Sequence, residues 1–137
     1  MAYWLLKSEP FKYSWDQLVQ DGRTHWNGVR NYQASNNLKA MKNGDRAFFY
    51  HSNEGLEIVG VAEIIREYYP DPSDEAGRFG MVDVKPVQPV PNTVTLKAMK
   101  AEPSLSGFAL IRQSRLSVVP VGEAEWQVIC GMAGIAG

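Results

Sequence analysis

The chain has 137 residues, with 14 Lys plus Arg against 15 Asp plus Glu and a formal net charge of −1; 45% of residues are hydrophobic and 21% charged. That length suits one domain over residues 1–137 whose core needs no staple. The hydrophobic share excludes disorder, and near-neutrality excludes a polycation that coats nucleic acid by charge alone. A lone cysteine, Cys130, excludes an internal disulfide framework and fits a reducing cytosol, and one cysteine with two histidines makes no zinc site. The apolar start, Met1 to Leu6, is cut short by Lys7 and Glu9, too early for a signal peptide or a membrane span. A cytoplasmic protein without membrane contact or bound metal is expected.

Residues 3–6 are short, apolar and aromatic-rich and read as a buried strand, stopped by Ser8-Glu9-Pro10. Ser14-Trp15-Asp16-Gln17 fits a capping box that opens a short helix over 15–20, which Asp21-Gly22 ends. A loop is expected over 23–28. Ala34, Leu38 and Met41 fall at i, i+4 and i+7 and form the inward stripe of a helix over 31–41. After the turn Asn43-Gly44-Asp45, residues 46–51 read as a strand that is aromatic on both faces. Residues 57–68 make a long strand, with part of 63–69 open to a helical reading; Gly60 inside it suggests a bulge or a close backbone approach.

Residues 70–74 are a loop, and 81–87 alternate as a strand. Pro86, Pro89 and Pro91 have no N–H to give to a central ladder, so an extended connector is expected there. Residues 95–100 and 122–130 read as helices, the second with Glu123 and Glu125 at its positive end and Gly131 as its cap. Residues 108–111 are apolar and open in type; 116–121 form a closing strand. Five or six strands among short helices make an α+β fold with a mixed, curled sheet or small barrel.

No catalytic set stands out. His51 and Ser52 are strand neighbours and face opposite ways. No glycine-rich phosphate loop and no pair of carboxylates is visible, and Cys130 sits in an apolar helix as a small hydrophobe. The stretch from Trp26 to Asn37 is richer in binding chemistry. Its Asn and Gln amides set donor beside acceptor, as the edge of a nucleobase does, and its indole offers a stacking face. The same residues serve equally as a core tryptophan and helix caps. Three more polar–aromatic groups, residues 7–10, 48–52 and 112–115, stand at strand ends, where pockets form.

Taken together, Tyr3-Trp4-Leu5-Leu6-Lys7-Ser8-Glu9-Pro10, Trp26-Asn27-Gly28-Val29-Arg30-Asn31-Tyr32-Gln33-Ala34, Phe48-Phe49-Tyr50-His51-Ser52 and Arg112-Gln113-Ser114-Arg115-Leu116-Ser117 closely resemble the EVE domain family. The resemblance runs in order over almost the whole chain. It implies a PUA-like fold, a small mixed β-barrel with flanking short helices, related to the YTH domains that read methylated adenine in RNA. It implies a monomeric, non-catalytic module that recognises a modified base in DNA or RNA and uses no cofactor. By position, Lys7, Ser8, Trp26, Arg30, Asn31, Tyr32, Tyr50, His51, Gln113 and Ser114 are expected around the base, with Trp26 as stacking wall. Lys39, Lys42, Arg46, Arg112 and Arg115 are the cations expected on the nucleic-acid backbone. The alternative is an enzyme, or a small-molecule-binding protein, acting on a free nucleoside or nucleotide.

Overall fold

The computed structural model describes all 137 residues. Strand β1 (Tyr3–Ser8) pairs in parallel with β3 (Arg46–His51) and antiparallel with β6 (Val118–Val121). Beyond β3, β4 (Glu57–Pro70), β5 (Gly80–Thr95) and β2 (Thr24–Trp26) follow in antiparallel pairs. The six strands therefore form one mixed sheet in the order β2-β5-β4-β3-β1-β6. The sheet is not closed by hydrogen bonds, so the expected barrel is a curled, open one. Helix α2 (Tyr32–Ala40) reports the curl, since it packs on β6 at one edge and on β4 and β5 toward the other.

The remaining helices are α1 (Trp15–Asp21), α3 (Leu96–Ala101), α4 (Ala109–Arg112) and α5 (Glu123–Ala133), with a 3-10 turn over Pro103–Leu105. Ser14 caps α1 by accepting from the Gln17 N–H, and Asn31 caps α2 by accepting from the Ala34 N–H. Helix α5 runs past Gly131 and stops at Gly134, which takes the left-handed conformation (φ 80°).

The aromatic run of β3 is buried on both faces. Phe48 stacks on Trp126 of α5 (centroids 4.0 Å), while Phe49, on the other face, meets the edges of Trp15 at 5.5 Å and Trp26 at 5.6 Å. One core of 34 buried residues results, which includes Ala34, Leu38 and Met41. Gly60 is the close approach that its position suggested: a Cβ there would lie 2.5 Å from the Trp15 ring.

Residues 57–70 are strand throughout, as the main reading had it, and the helical alternative for part of 63–69 falls away; residues 24–26 of the expected loop form β2, and residues 86–91 are strand rather than connector. The prolines are tolerated because β2 pairs with β5 only from Val82 to Val84. Past that point β5 has a sheet neighbour on one side alone and follows β4 with repeated register shifts, so a missing N–H costs no central ladder bond.

Candidate functional site

A cleft of about 650 Å³ opens where β1 and β3 end and β6 begins. Lys7 and Ser8 line it from β1, Ser52 from the end of β3, and Ser114, Arg115 and Ser117 from the approach to β6. Residues from Thr24 to Arg30, and Glu9, Lys12 and Tyr13, supply the rest of the lining. Four cationic side chains, those of Lys7, Lys12, Arg30 and Arg115, thus meet here against one carboxylate, Glu9. Glu9 pairs with Lys12 at 3.2 Å. A protein of net charge −1 thereby presents a locally basic cleft.

The lining is held by bonds to backbone. The half-buried Lys7 donates from Nζ to the Ser114 carbonyl at 2.8 Å, which ties β1 to the approach to β6. Burial pulls its ammonium below the usual lysine range. Ser8 Oγ donates to the Tyr13 carbonyl and fixes the turn after β1. Trp26 closes the inner side. Only 9% of it is exposed, because Phe49 packs against it edge to face.

Asp71 organises the segment after Trp26. It is 2% exposed and accepts from the Gly28 N–H (2.9 Å) and Arg30 Nη1 (3.1 Å) through Oδ2, and from Ser73 N–H and Oγ through Oδ1. Burial alone would raise its carboxyl; the bonds from Ser73, Gly28 and Arg30 outweigh that and bring it down to about 2. Gly28 adopts φ 80°, which a side chain would strain, so this clamped turn needs glycine. On the outer face of the β2–β5 edge, buried Asp83 holds His25 Nδ1 (2.9 Å), Arg23 Nη2 (3.1 Å) and the Tyr69 hydroxyl. Burial raises this carboxyl too, and the bonds from Tyr69, His25 and Arg23 bring it below its ordinary value.

Lys7, Ser8, Trp26, Arg30, Ser114 and Arg115 are therefore in the cleft lining. Asn31, Arg112 and Gln113 are not; they border an adjoining depression of about 330 Å³ that shares Ser114 and Arg115 with the cleft. Asn31 spends its side-chain oxygen on capping α2, and Gln113 accepts from Gln33 Nε2 at 2.7 Å. Arg112 donates from Nε to the Ser106 carbonyl. Tyr32 lies outside both, exposed against Phe79.

Tyr50 and His51 pair in register with Lys7 and Ser8 but do not themselves line the cleft. Tyr50 is 2% exposed within the core, and burial raises its phenol. His51 Nε2 accepts from the Trp15 N–H at 3.1 Å at the start of α1, and burial lowers its imidazole. Among the expected phosphate contacts, Arg46 sits at the opposite end of β3, opposite Tyr3 and paired with Glu63. Lys42 lies in the turn before β3 and Lys39 over the Tyr68 ring in the last turn of α2, both remote from the end where the cleft opens. The strand period and helix direction explain this: β1 and β3 run parallel, so what begins β3 cannot border a cleft at its end.

Asp71 is the important residue that pattern reading passes over, because an Asp between prolines reads as a solvated turn. The available signal is Asp71-Pro72-Ser73, the spacing at which an Asp side chain binds the backbone two residues on.

A family model described as "EVE domain" matches residues 2–132. Thymocyte nuclear protein 1 of Rattus norvegicus is 35% identical over 95% of this chain and 73% of its own length. A solved protein of Rhodopseudomonas palustris is 57% identical with a TM-score of 0.93, covering 98% of this chain and 94% of that one. Human THYN1, solved in complex with 5-methylcytosine-containing DNA, is 32% identical with a TM-score of 0.91 over the full length of both chains. The fold itself reaches further, to the YTH domain of Zygosaccharomyces rouxii MRB1, at 14% identity and a TM-score of 0.61 over 99% of this chain and 88% of that one.

Proposed function

The chain belongs to the EVE domain family, and from that premise we propose that its cleft takes a modified nucleobase of DNA or RNA, as a binding module without catalysis. The carrying observation is the pairing of Trp26 at the inner side with Lys7, Arg30, Lys12 and Arg115 around it. The cavity volume suits a small planar ligand, and the cations suit the phosphates on either side of it. Human THYN1 was solved with DNA containing 5-methylcytosine, which makes that base the first ligand to test.

The non-catalytic reading rests on the state of the titratable groups. His25 Nδ1 is engaged with Asp83 and lies 2.9 Å from the Tyr69 hydroxyl, with no serine or cysteine hydrogen-bonded to it. Ser8 gives its proton to a backbone carbonyl. Cys130 is buried, and burial pushes its thiol up to about 11, so it is no thiolate at neutral pH.

The experiment is a titration of the protein with oligonucleotides that carry single modified bases, alongside unmodified oligonucleotides and the matching free nucleosides. At least one modified base is expected to bind more tightly than its parent base, and each oligonucleotide is expected to be recovered unchanged. Equal affinity for modified and parent bases across the panel would refute the reading.

A further inference from the structure

Tyr32 is 62% exposed although it opens a helix whose inward stripe is well buried. Its ring rests on Phe79, with centroids 4.9 Å apart and planes tilted by 38°, so one face is backed and the other is open to solvent. Phe79 is itself held in place: its N–H donates to Asp74 Oδ2 at 2.7 Å and its carbonyl accepts from the Asp71 N–H at 3.2 Å. The guanidinium carbon of Arg30 lies 5.8 Å from the centre of the Phe79 ring. Arg30 in turn lines the cleft and is anchored by Asp71 and Ser73. The loop from Asp71 to Phe79 therefore supports the cleft wall and the exposed aromatic as one unit.

Arg30 keeps part of its valence. Three hydrogen bonds, to the Val29 carbonyl, Asp71 and Ser73, engage three of its five N–H groups. The other two are free on a side chain that is 39% exposed. The other large exposed aromatic, Phe11, has only the Lys12 ammonium near its ring and no aromatic backing. A rigid, half-covered ring is the better stacking surface, because less freedom is lost when a base settles on it.

We propose that Tyr32, backed by Phe79, is a stacking platform for the nucleobase next to the one held in the cleft, with Arg30 between them facing the connecting phosphate. This rests on the reading of the cleft as a modified-base site. Stacking on a phenol ring is indifferent to base identity, so the platform adds affinity for a polynucleotide over a free nucleoside without adding sequence preference. Tyr32 thus belongs to the ligand surface, one nucleotide away from the pocket.

The test uses the full chain and trinucleotides carrying a central 5-methylcytosine, 5-hydroxymethylcytosine or N6-methyladenine, with the matching nucleosides. The flanking base is expected to strengthen binding roughly five- to a hundred-fold over the same trinucleotide with an abasic sugar in its place. Tyr32→Ala is expected to remove that base-dependent gain and leave nucleoside affinity unchanged, while Tyr32→Phe keeps it. Replacing the flanking base by an abasic sugar should reproduce the loss in the parent protein and add nothing in Tyr32→Ala. A Tyr32→Ala protein that binds trinucleotides like the parent would overturn the platform, as would an equal loss for nucleoside and trinucleotide. Absence of binding for every modified probe in the parent protein would overturn the cleft reading, and the platform with it.

Discussion

The two ends of the parallel β1–β3 pair are built from similar residues and do opposite things. At the start of the strands, Tyr3 stacks on Trp126 at 4.3 Å, and buried Asp45 accepts from the Ala2 and Lys42 N–H groups and from the Trp4 indole. At their end, buried Asp71 performs the same service for Gly28 and Ser73, but it also holds the guanidinium of Arg30, which still reaches the cleft. At both ends a buried carboxylate satisfies backbone donors that would otherwise be stranded, and a tryptophan packs on an aromatic ring of β3. The first end is covered by α5, which leaves only a depression of about 290 Å³ beside Tyr3, Arg46 and Trp126. The second is walled by loops, which leave a cavity and bring cations to its edge. Similar parts therefore make a lock or a site according to whether a helix or a set of loops covers them.

The largest expected effect separates the two tryptophans. Trp126→Ala and Trp26→Ala should each lower folding stability by about 3–5 kcal/mol, since both side chains are almost fully buried. Only Trp26→Ala should also weaken the modified-base ligand in the fraction that remains folded. Urea unfolding and a ligand titration on the same two proteins check this, and a comparable loss of affinity in Trp126→Ala would erase the distinction between the ends.

The two carboxylates come next. The Asp71 carboxyl stands at about 2 in the folded protein against an ordinary 3.8. Its contribution is thus present above pH ~4 and is lost as pH falls from there through about 2, amounting to ~2 kcal/mol in all. Asp71→Asn should remove that limb from a plot of stability against pH and should weaken ligand binding at neutral pH by freeing Gly28 and Arg30. Asp45→Asn is expected to lower stability while leaving the affinity of the folded protein intact. Thermal melts across pH 2 to 7, with titrations at pH 7, decide between a shared and a divided role.

The smallest effect concerns salt. Lys7→Ala and Arg115→Ala should each reduce the slope of log affinity against log salt by about one if each meets one phosphate. Arg46→Ala and Lys42→Ala, at the α5-covered end, should leave the slope unchanged. The parent slope itself should be moderate, because few cations border the cleft. A slope that falls equally for cations of both ends would show that nucleic acid runs along the whole sheet.

What the sequence by itself determined is what depends on neighbours along the chain. The capping residue Ser14, the stripe of Ala34, Leu38 and Met41, the doubly buried run of β3 and the tight spot at Gly60 follow from periodicity and residue chemistry. The motifs that carry the family resemblance also brought Lys7, Ser8, Trp26, Arg30, Ser114 and Arg115 to notice, and all six line the cleft. Tertiary structure alone decided which end of each strand faces it. Lys39, Lys42 and Arg46 form a basic cluster in the sequence, yet the direction of β3 carries Arg46 to the α5-covered end, while Asp71 crosses from a distant loop to clamp Gly28. The three-residue β2 and the proline-bearing part of β5 had no local signal either, since a short edge strand owes its form to the partner it meets and not to its own propensity. Local pattern reports which residues can turn inward; only the pairing of strands far apart in the chain sets which of them meet.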